Sequence, residues 1–213
     1  MTVNPNIDGI YPDEIIRISF DLETMGLGPD AAIVQLGAYA FSGHNYSADL
    51  QFNKYIDPED SEKYGTVDRE TMDWWDKQPV STRASVFSGK NTLESALTAF
   101  EIWVSKLCNG DFKRVKFYCK DIGLDWCALR HGYEKTIGTF PFHYRSPQQL
   151  RTLQDVATFV GLEYDHAIYK PVIPHNAAFD ALAQGKEAAF ILESLRKWTS
   201  FNGIDIPAED SPN

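Results

Sequence analysis

Residues 15–22 are apolar, partly alternating and rich in β-branched side chains, and residues 31–41 read the same way after Met25-Gly26-Leu27-Gly28-Pro29-Asp30. Two strands joined by a glycine-bearing turn are the expected outcome, a β-hairpin. A third strand is predicted over 47–56, where Leu50, Phe52 and Ile56 share one parity before Asp57-Pro58 breaks the pattern. The period then changes. Leu93, Leu97, Phe100, Val104 and Leu107 follow helical spacing behind the N-cap candidates Asn91 and Thr92, and Asn109-Gly110 supplies a stop. Residues 115–119 read as a buried strand. Helices are predicted over 125–131 and 150–160, separated by a loop bearing Gly138, Pro141 and Pro147, and a last helix over 176–198.

Strands that come first and later alternate with helices pack most simply as an α/β layer, with a mixed central sheet flanked by helices. At 213 residues and 43% hydrophobic, one domain is expected over 15–200, with an N-terminal extension at 1–14 and a mobile tail at 201–213. The net charge of −10 and pI near 4.9 argue against a protein that coats duplex nucleic acid through a uniformly basic surface. Any nucleic-acid contact is therefore expected to be local. Cys108, Cys119 and Cys127 are odd in number and lack metal-ligand spacing, so free thiols in a reducing compartment are expected. The start of the chain has no basic, apolar leader, and no stretch approaches the roughly 18 apolar residues of a membrane span. A cytoplasmic protein without membrane contact is the expectation.

Asp21 and Glu23 lie two apart on the first predicted strand, so both carboxylates share one face, while Ile16, Ile18, Phe20 and Leu22 surround them with apolar side chains. Burial and mutual repulsion oppose two ionised acids there unless a cation neutralises them or their pKa values rise. The bland alternative places the pair on an exposed hairpin edge. The second informative stretch is His175-Asn176-Ala177-Ala178-Phe179-Asp180. On one continuous helix a five-residue offset turns by about 500°, leaving His175 and Asp180 about 140° apart. His175 must therefore precede the helix, with Asn176 as N-cap, if the two are to converge.

Asp21-Leu22-Glu23-Thr24-Met25-Gly26, Asp125 with Leu129 after a central strand, and His175-x-Ala177-x-x-Asp180 resemble, in order and spacing, the three motifs of the DEDD exonuclease superfamily, histidine variety. The stretch from Thr71 through Trp74-Trp75 to Gln78, together with Arg151-Thr152-Leu153, is similar to a narrower group, the bacteriophage exonuclease A proteins and related mycobacterial exoribonucleases. The resemblance spans residues 15–195. It implies an RNase H-like fold, two divalent ions and 3'-5' hydrolysis that releases nucleoside 5'-monophosphates. On matching positions it implies that Asp21 bridges both ions, Glu23 and Asp180 bind one, Asp125 binds the other, and His175 is the general base. It further implies substrate contacts at Thr24, Met25, Trp74, Trp75, Gln78, Arg151 and Asn176. The tyrosine variety would need its base at position 176, which is Asn.

Two departures stand out. Lys120-Asp121-Ile122-Gly123-Leu124-Asp125 offers two candidate carboxylates for the second motif, of which Asp125 is favoured because Leu129 follows on its helical face. Gln149 stands where relatives carry an acid two residues before the Arg-Thr pair, so any ion pair made there is absent or replaced.

Carboxylates without cysteine suit Mg²⁺, with Mn²⁺ as a substitute. The segment 113–151 holds eight Lys/Arg against three acids, a local excess of +5 in an acidic chain. Its Tyr118, Trp126, Tyr133, Phe142 and Tyr144 are candidate stacking surfaces for single-stranded bases, or alternatively core residues. Of the adjacent Trp74 and Trp75, one is expected to pack inward and the other to border substrate. The expected partner is a single-stranded 3' end, DNA ahead of RNA. A non-catalytic RNase H-like binding module is the rival of another class.

Overall fold

The computed structural model describes residues 15–41 and 50–201. The extension at 1–14, the first part of the predicted third strand at 47–49 and tail residues 202–213 lie outside the described residues. Strands β1 (Ile16–Thr24) and β2 (Ile33–Ala40) form the antiparallel hairpin, and β3 (Gln51–Tyr55) adds to β2 antiparallel. Helices α1 (Pro58–Ser61), α2 (Arg69–Trp75) and α3 (Val80–Val86) follow; of this stretch the sequence pattern marked only Trp74 and Trp75, as adjacent helical residues. Between them they bury only Ser61, Thr71, Trp75 and Val86, too few apolar positions to leave a periodic signal.

Helix α4 (Leu93–Cys108) buries all five of its periodic apolar residues. The Thr92 hydroxyl accepts from the Ser95 N–H at 3.2 Å, and Asn109 ends the helix in the left-handed region at φ 54°. Strand β4 (Val115–Cys119) runs parallel to β1, and a wide π-type turn at Ile122–Trp126 leads into α5 (Cys127–Thr136). The predicted helix start at Asp125 is thus a π-turn, and the helix proper begins two residues later. Within the expected loop, β5 (Pro147–Gln149) pairs parallel with β4. A proline is tolerated there because β5 is an edge strand. Helices α6 (Leu150–Phe159) and α7 (Ala177–Phe201) complete the fold.

The sheet order is β3-β2-β1-β4-β5, mixed as expected. Register sets two faces. Ile18, Phe20 and Leu22 pair with Ala40, Ala38 and Leu36 and join α4 and α5 in the main core. Ser19, Asp21 and Glu23 pair with Tyr39, Gly37 and Gln35 on the opposite face, under α7. Helix α7 lies close because its sheet-facing side is small: a Cβ on Gly37 would sit 2.1 Å from the Ala177 backbone, and one on Gly185 would sit 2.7 Å from the Tyr39 ring. Helix α7 extends through Phe201, into the interval expected to be tail. Among the described residues no helix is long and apolar enough to cross a membrane. All three cysteines are free.

Candidate active site

Gly37 lets the first turn of α7 rest on the sheet opposite Asp21, and this close approach brings Asp180 beside Asp21, 159 positions earlier in the chain. One carboxylate oxygen from each of Asp21, Glu23 and Asp180 lies within 4.8 Å of the others. Octahedral Mg²⁺ with ligands at about 2.1 Å holds its ligand oxygens roughly 3 to 4.2 Å apart, so a small contraction fits the triad around one ion. Asp125 stands outside that triad yet close enough for its charge to raise the pKa of Asp21 and Glu23.

Burial is the main reason these acids resist ionisation. It pushes Asp21 well above the usual carboxylate range, and the charges of Asp125, Glu23 and Asp180 add to it. Glu23 is raised to about 8 by burial and then by Asp180 and Asp125. Asp125, only 5% exposed, is raised to about 7 by burial, although the Asp121 N–H donates to it at 3.3 Å. Asp180 is raised by burial, against the opposing pull of the Asn176 N–H, Lys120 and His175. Four acids buried this close together repel one another when ionised, and a divalent cation among them would offset that repulsion.

Asp121 has a different environment. One oxygen accepts from Gly123 N–H at 2.9 Å and Leu124 N–H at 3.3 Å, capping the π-turn, and the other faces the Arg151 guanidinium at 3.7 Å. Gln149, in place of the expected acid, clasps the same turn: it accepts from Ile122 N–H at 3.1 Å and donates to the Lys120 carbonyl at 3.1 Å. Of the two candidate carboxylates, Asp125 is the one that sits beside Asp21.

His175 precedes α7 as its spacing required, with left-handed backbone at φ 57°. Its ring packs edge-on against Trp74 at 4.9 Å. Asn176 holds the position before the helix, but its side chain does not cap it. Its Nδ2 donates to Tyr55 Oη at 2.9 Å and its Oδ1 accepts from Gln35 Nε2 at 3.2 Å, while Gln35 Oε1 takes the Ala177 N–H at 3.1 Å. The cap is thus supplied from β2. Asn176, for which a substrate contact was expected, is buried with its amide engaged by Gln35 and Tyr55.

The remaining expected contacts divide. Trp74 is 40% exposed, whereas Trp75 is buried and its Nε1 donates to the Thr24 carbonyl at 2.9 Å. Met25 is also buried, in a small cluster with Ala32, Val34, Trp75 and Val86, and its N–H and carbonyl bond Ala32 and Asp68. Met25 and Trp75 therefore lie behind the site wall. Thr24 is buried with its hydroxyl bonded to the Gly26 carbonyl, Gln78 closes the end of α2 against the Trp74 carbonyl, and Arg151 is exposed. Of the aromatics in the basic segment, Tyr118, Trp126, Tyr133 and Phe142 are core, and Tyr144 alone is exposed.

Gln184 was not singled out from the sequence. It lies one turn beyond Asp180, buried, and its Nε2 donates to Asp21 Oδ1 at 2.7 Å while Oε1 has no partner. Its signal was the i+4 spacing from a metal-ligand candidate. The Gln35–Tyr55 pair was also missed, and Lys120, counted only within the basic segment, has its charge felt at Asp180.

Comparison with solved structures defines the fold. The nuclease domain of 3'hExo, a DEDDh family member bound to rAMP, aligns with TM-score 0.56 and 13% identity over 85% of this chain and 93% of that one. Cell-death related nuclease 4 (CRN-4) aligns with TM-score 0.58 and 15% identity over 87% and 65%. E. coli exonuclease I in complex with a dT13 oligonucleotide aligns with TM-score 0.56 and 11% identity over 87% and 43%. The chain thus spans under two thirds of CRN-4 and under half of exonuclease I. No curated protein matches it by sequence. The fold is RNase H-like, that of the DEDDh exonucleases. Within that class the family model of the 3'-5' exoribonuclease Rv2179c-like domain matches residues 16–192, and the chain belongs to this family.

Proposed function

We propose that this chain is a divalent-metal-dependent 3'-5' exonuclease acting on single-stranded nucleic acid, RNA ahead of DNA, and releasing nucleoside 5'-monophosphates. The carrying observation is the meeting of the Asp21, Glu23 and Asp180 oxygens within 4.8 Å, with Asp125 and His175 at their border. The family description favours RNA and reverses the order expected from the sequence. DNA is the second reading, favoured by the similar fold of exonuclease I bound to dT13.

The all-oxygen donor set fits two Mg²⁺ ions, with Mn²⁺ substituting, and the S. pombe Pop2p structure of similar fold is a Mg²⁺ and Mn²⁺ bound form. Asp21 would hold both ions, Glu23 and Asp180 one, and Asp125 the other. When bound, they supply Lewis acidity and neutralise charge on the phosphoryl and leaving 3' oxygens. His175 accepts the proton of the attacking water at its imidazole nitrogen. Gln184 fixes one Asp21 oxygen and leaves the other side of that carboxylate to the cleft. Trp74 forms the exposed wall beside His175, where a terminal base can stack. Met25 and Trp75 support that wall from behind.

The test incubates 5'-labelled single-stranded RNA and DNA separately with Mg²⁺ and follows the labelled fragments. A descending ladder from RNA, faster than from DNA, is expected. Faster DNA shortening would restore DNA as substrate, and fragments that survive EDTA at full rate would remove the metal proposal.

A further inference from the structure

Gln35 is the one polar side chain in the run Ile33-Val34-Gln35-Leu36, and it is completely buried beneath the start of α7. Every polar atom of its amide is used. Besides Ala177 N–H and Asn176 Oδ1, it donates to Asn53 Oδ1 at 2.9 Å. Asn176 is in turn fixed on several sides: its N–H donates to Asp180 Oδ2 at 3.1 Å, its carbonyl accepts from Phe179 and Asp180, and its Nδ2 reaches Tyr55 Oη. Tyr55 Oη also accepts from Ser85 Oγ at 3.3 Å on α3. The chain of hydrogen bonds thus runs from α3 across β3 and β2 to the residue after His175.

His175 itself needs such a restraint. A histidine at φ 57° is in a sparsely populated region and persists only where its surroundings over-determine it. On one side Pro174 limits the backbone; on the other, Asn176 is bonded through its backbone and its amide. We propose that Gln35, Asn176 and Tyr55 form a positioning clamp that sets the His175 imidazole between Trp74 and Asp180. The clamp acts through His175 and touches no substrate; its catalytic consequence rests on the proposed exonuclease reading.

Tyr55→Phe removes a single hydroxyl from a half-buried ring and leaves the fold intact. It is expected to lower kcat by about 3–10-fold, the equivalent of one neutral hydrogen bond, with KM and Mg²⁺ affinity unchanged. In a His175→Ala background the same substitution is expected to have no further effect, because both changes act on one group. Histidine-selective NMR supplies a readout independent of turnover: the His175 ring signal should shift or broaden in Tyr55→Phe and in Gln35→Leu, while those of His131 and His143 stay in place. A His175 signal unmoved in folded Tyr55→Phe, or an equal loss of rate in both backgrounds, overturns the clamp. If the wild-type protein releases no nucleotides, the exonuclease reading falls and the NMR comparison still decides the clamp.

Discussion

Alternate residues of the same strand pair face two different environments. On one side Phe20 meets Phe117 at 5.9 Å and Phe117 meets Phe142 at 4.7 Å, within a dry cluster that includes Trp126 and Tyr133. On the other side, one residue away, Asp21 and Glu23 are buried beside Asp125 and Asp180 with pKa values forced upward. The first face gains free energy from burial without qualification. The second is opposed by desolvation and like-charge repulsion, and α7 reaches it only because Gly37, Gly185 and several alanines permit close approach. Stability and the proposed chemistry are thereby separated by the pleat of one strand, and the sites that hold the fold are not those that act.

Substitutions on the two faces should diverge accordingly. Asp180→Asn is expected to lower the hydrolysis rate by on the order of 10³-fold or more, with a melting temperature equal to or above wild type because repulsion is relieved. A rate loss accompanied by unfolding would dissolve the distinction between faces. Phe117→Ala should do the reverse: about 3–5 kcal/mol lost in urea unfolding, with turnover per folded molecule retained under native conditions.

Smaller effects sharpen the contrast. Gln184→Leu leaves Asp21 Oδ1 without its donor and is expected to weaken Mg²⁺ or Mn²⁺ binding about 10–100-fold by calorimetric titration. Unchanged affinity would make Gln184 a packing residue. The pH dependence has a definite sign. The Glu23 pKa rises from 4.5 to about 8 on folding, so the folded protein holds the extra proton between those values. Its contribution to ion-free stability is complete below the lower value and lost as pH rises through the upper one. Melting temperature without metal should fall between about pH 5 and about pH 9, the increment from saturating Mg²⁺ should grow, and Glu23→Gln should flatten both trends.

The sequence displayed the dry face more fully than the polar one. Helix α4 was legible because five apolar residues repeat at one spacing between a threonine cap and an Asn-Gly stop, and its core partners in β1 and β4 are apolar runs. The four acids and His175 were legible because their spacing matches known motifs. What the sequence hid depends on contacts between distant residues. Gln35 looks like a lone polar interruption of a strand until α7 is laid across it, and Asn176 reads as a cap by type although the cap comes from β2. Helices α2 and α3 bury too little to betray a period, yet they carry Trp74 to the His175 ring and Ser85 to the Tyr55 hydroxyl. The aromatics of the basic segment stayed open between stacking surface and core because ring type says nothing about which side of the sheet a residue serves; four of the five are core.

The most direct measurement follows 5'-labelled single-stranded RNA with wild-type protein in Mg²⁺, wild-type protein in EDTA, and Asp180→Asn in Mg²⁺, each confirmed folded by its melting curve. The account predicts stepwise shortening from the 3' end and nucleoside 5'-monophosphate only in the first. Equal product in all three, or label released first from the 5' end, would contradict it.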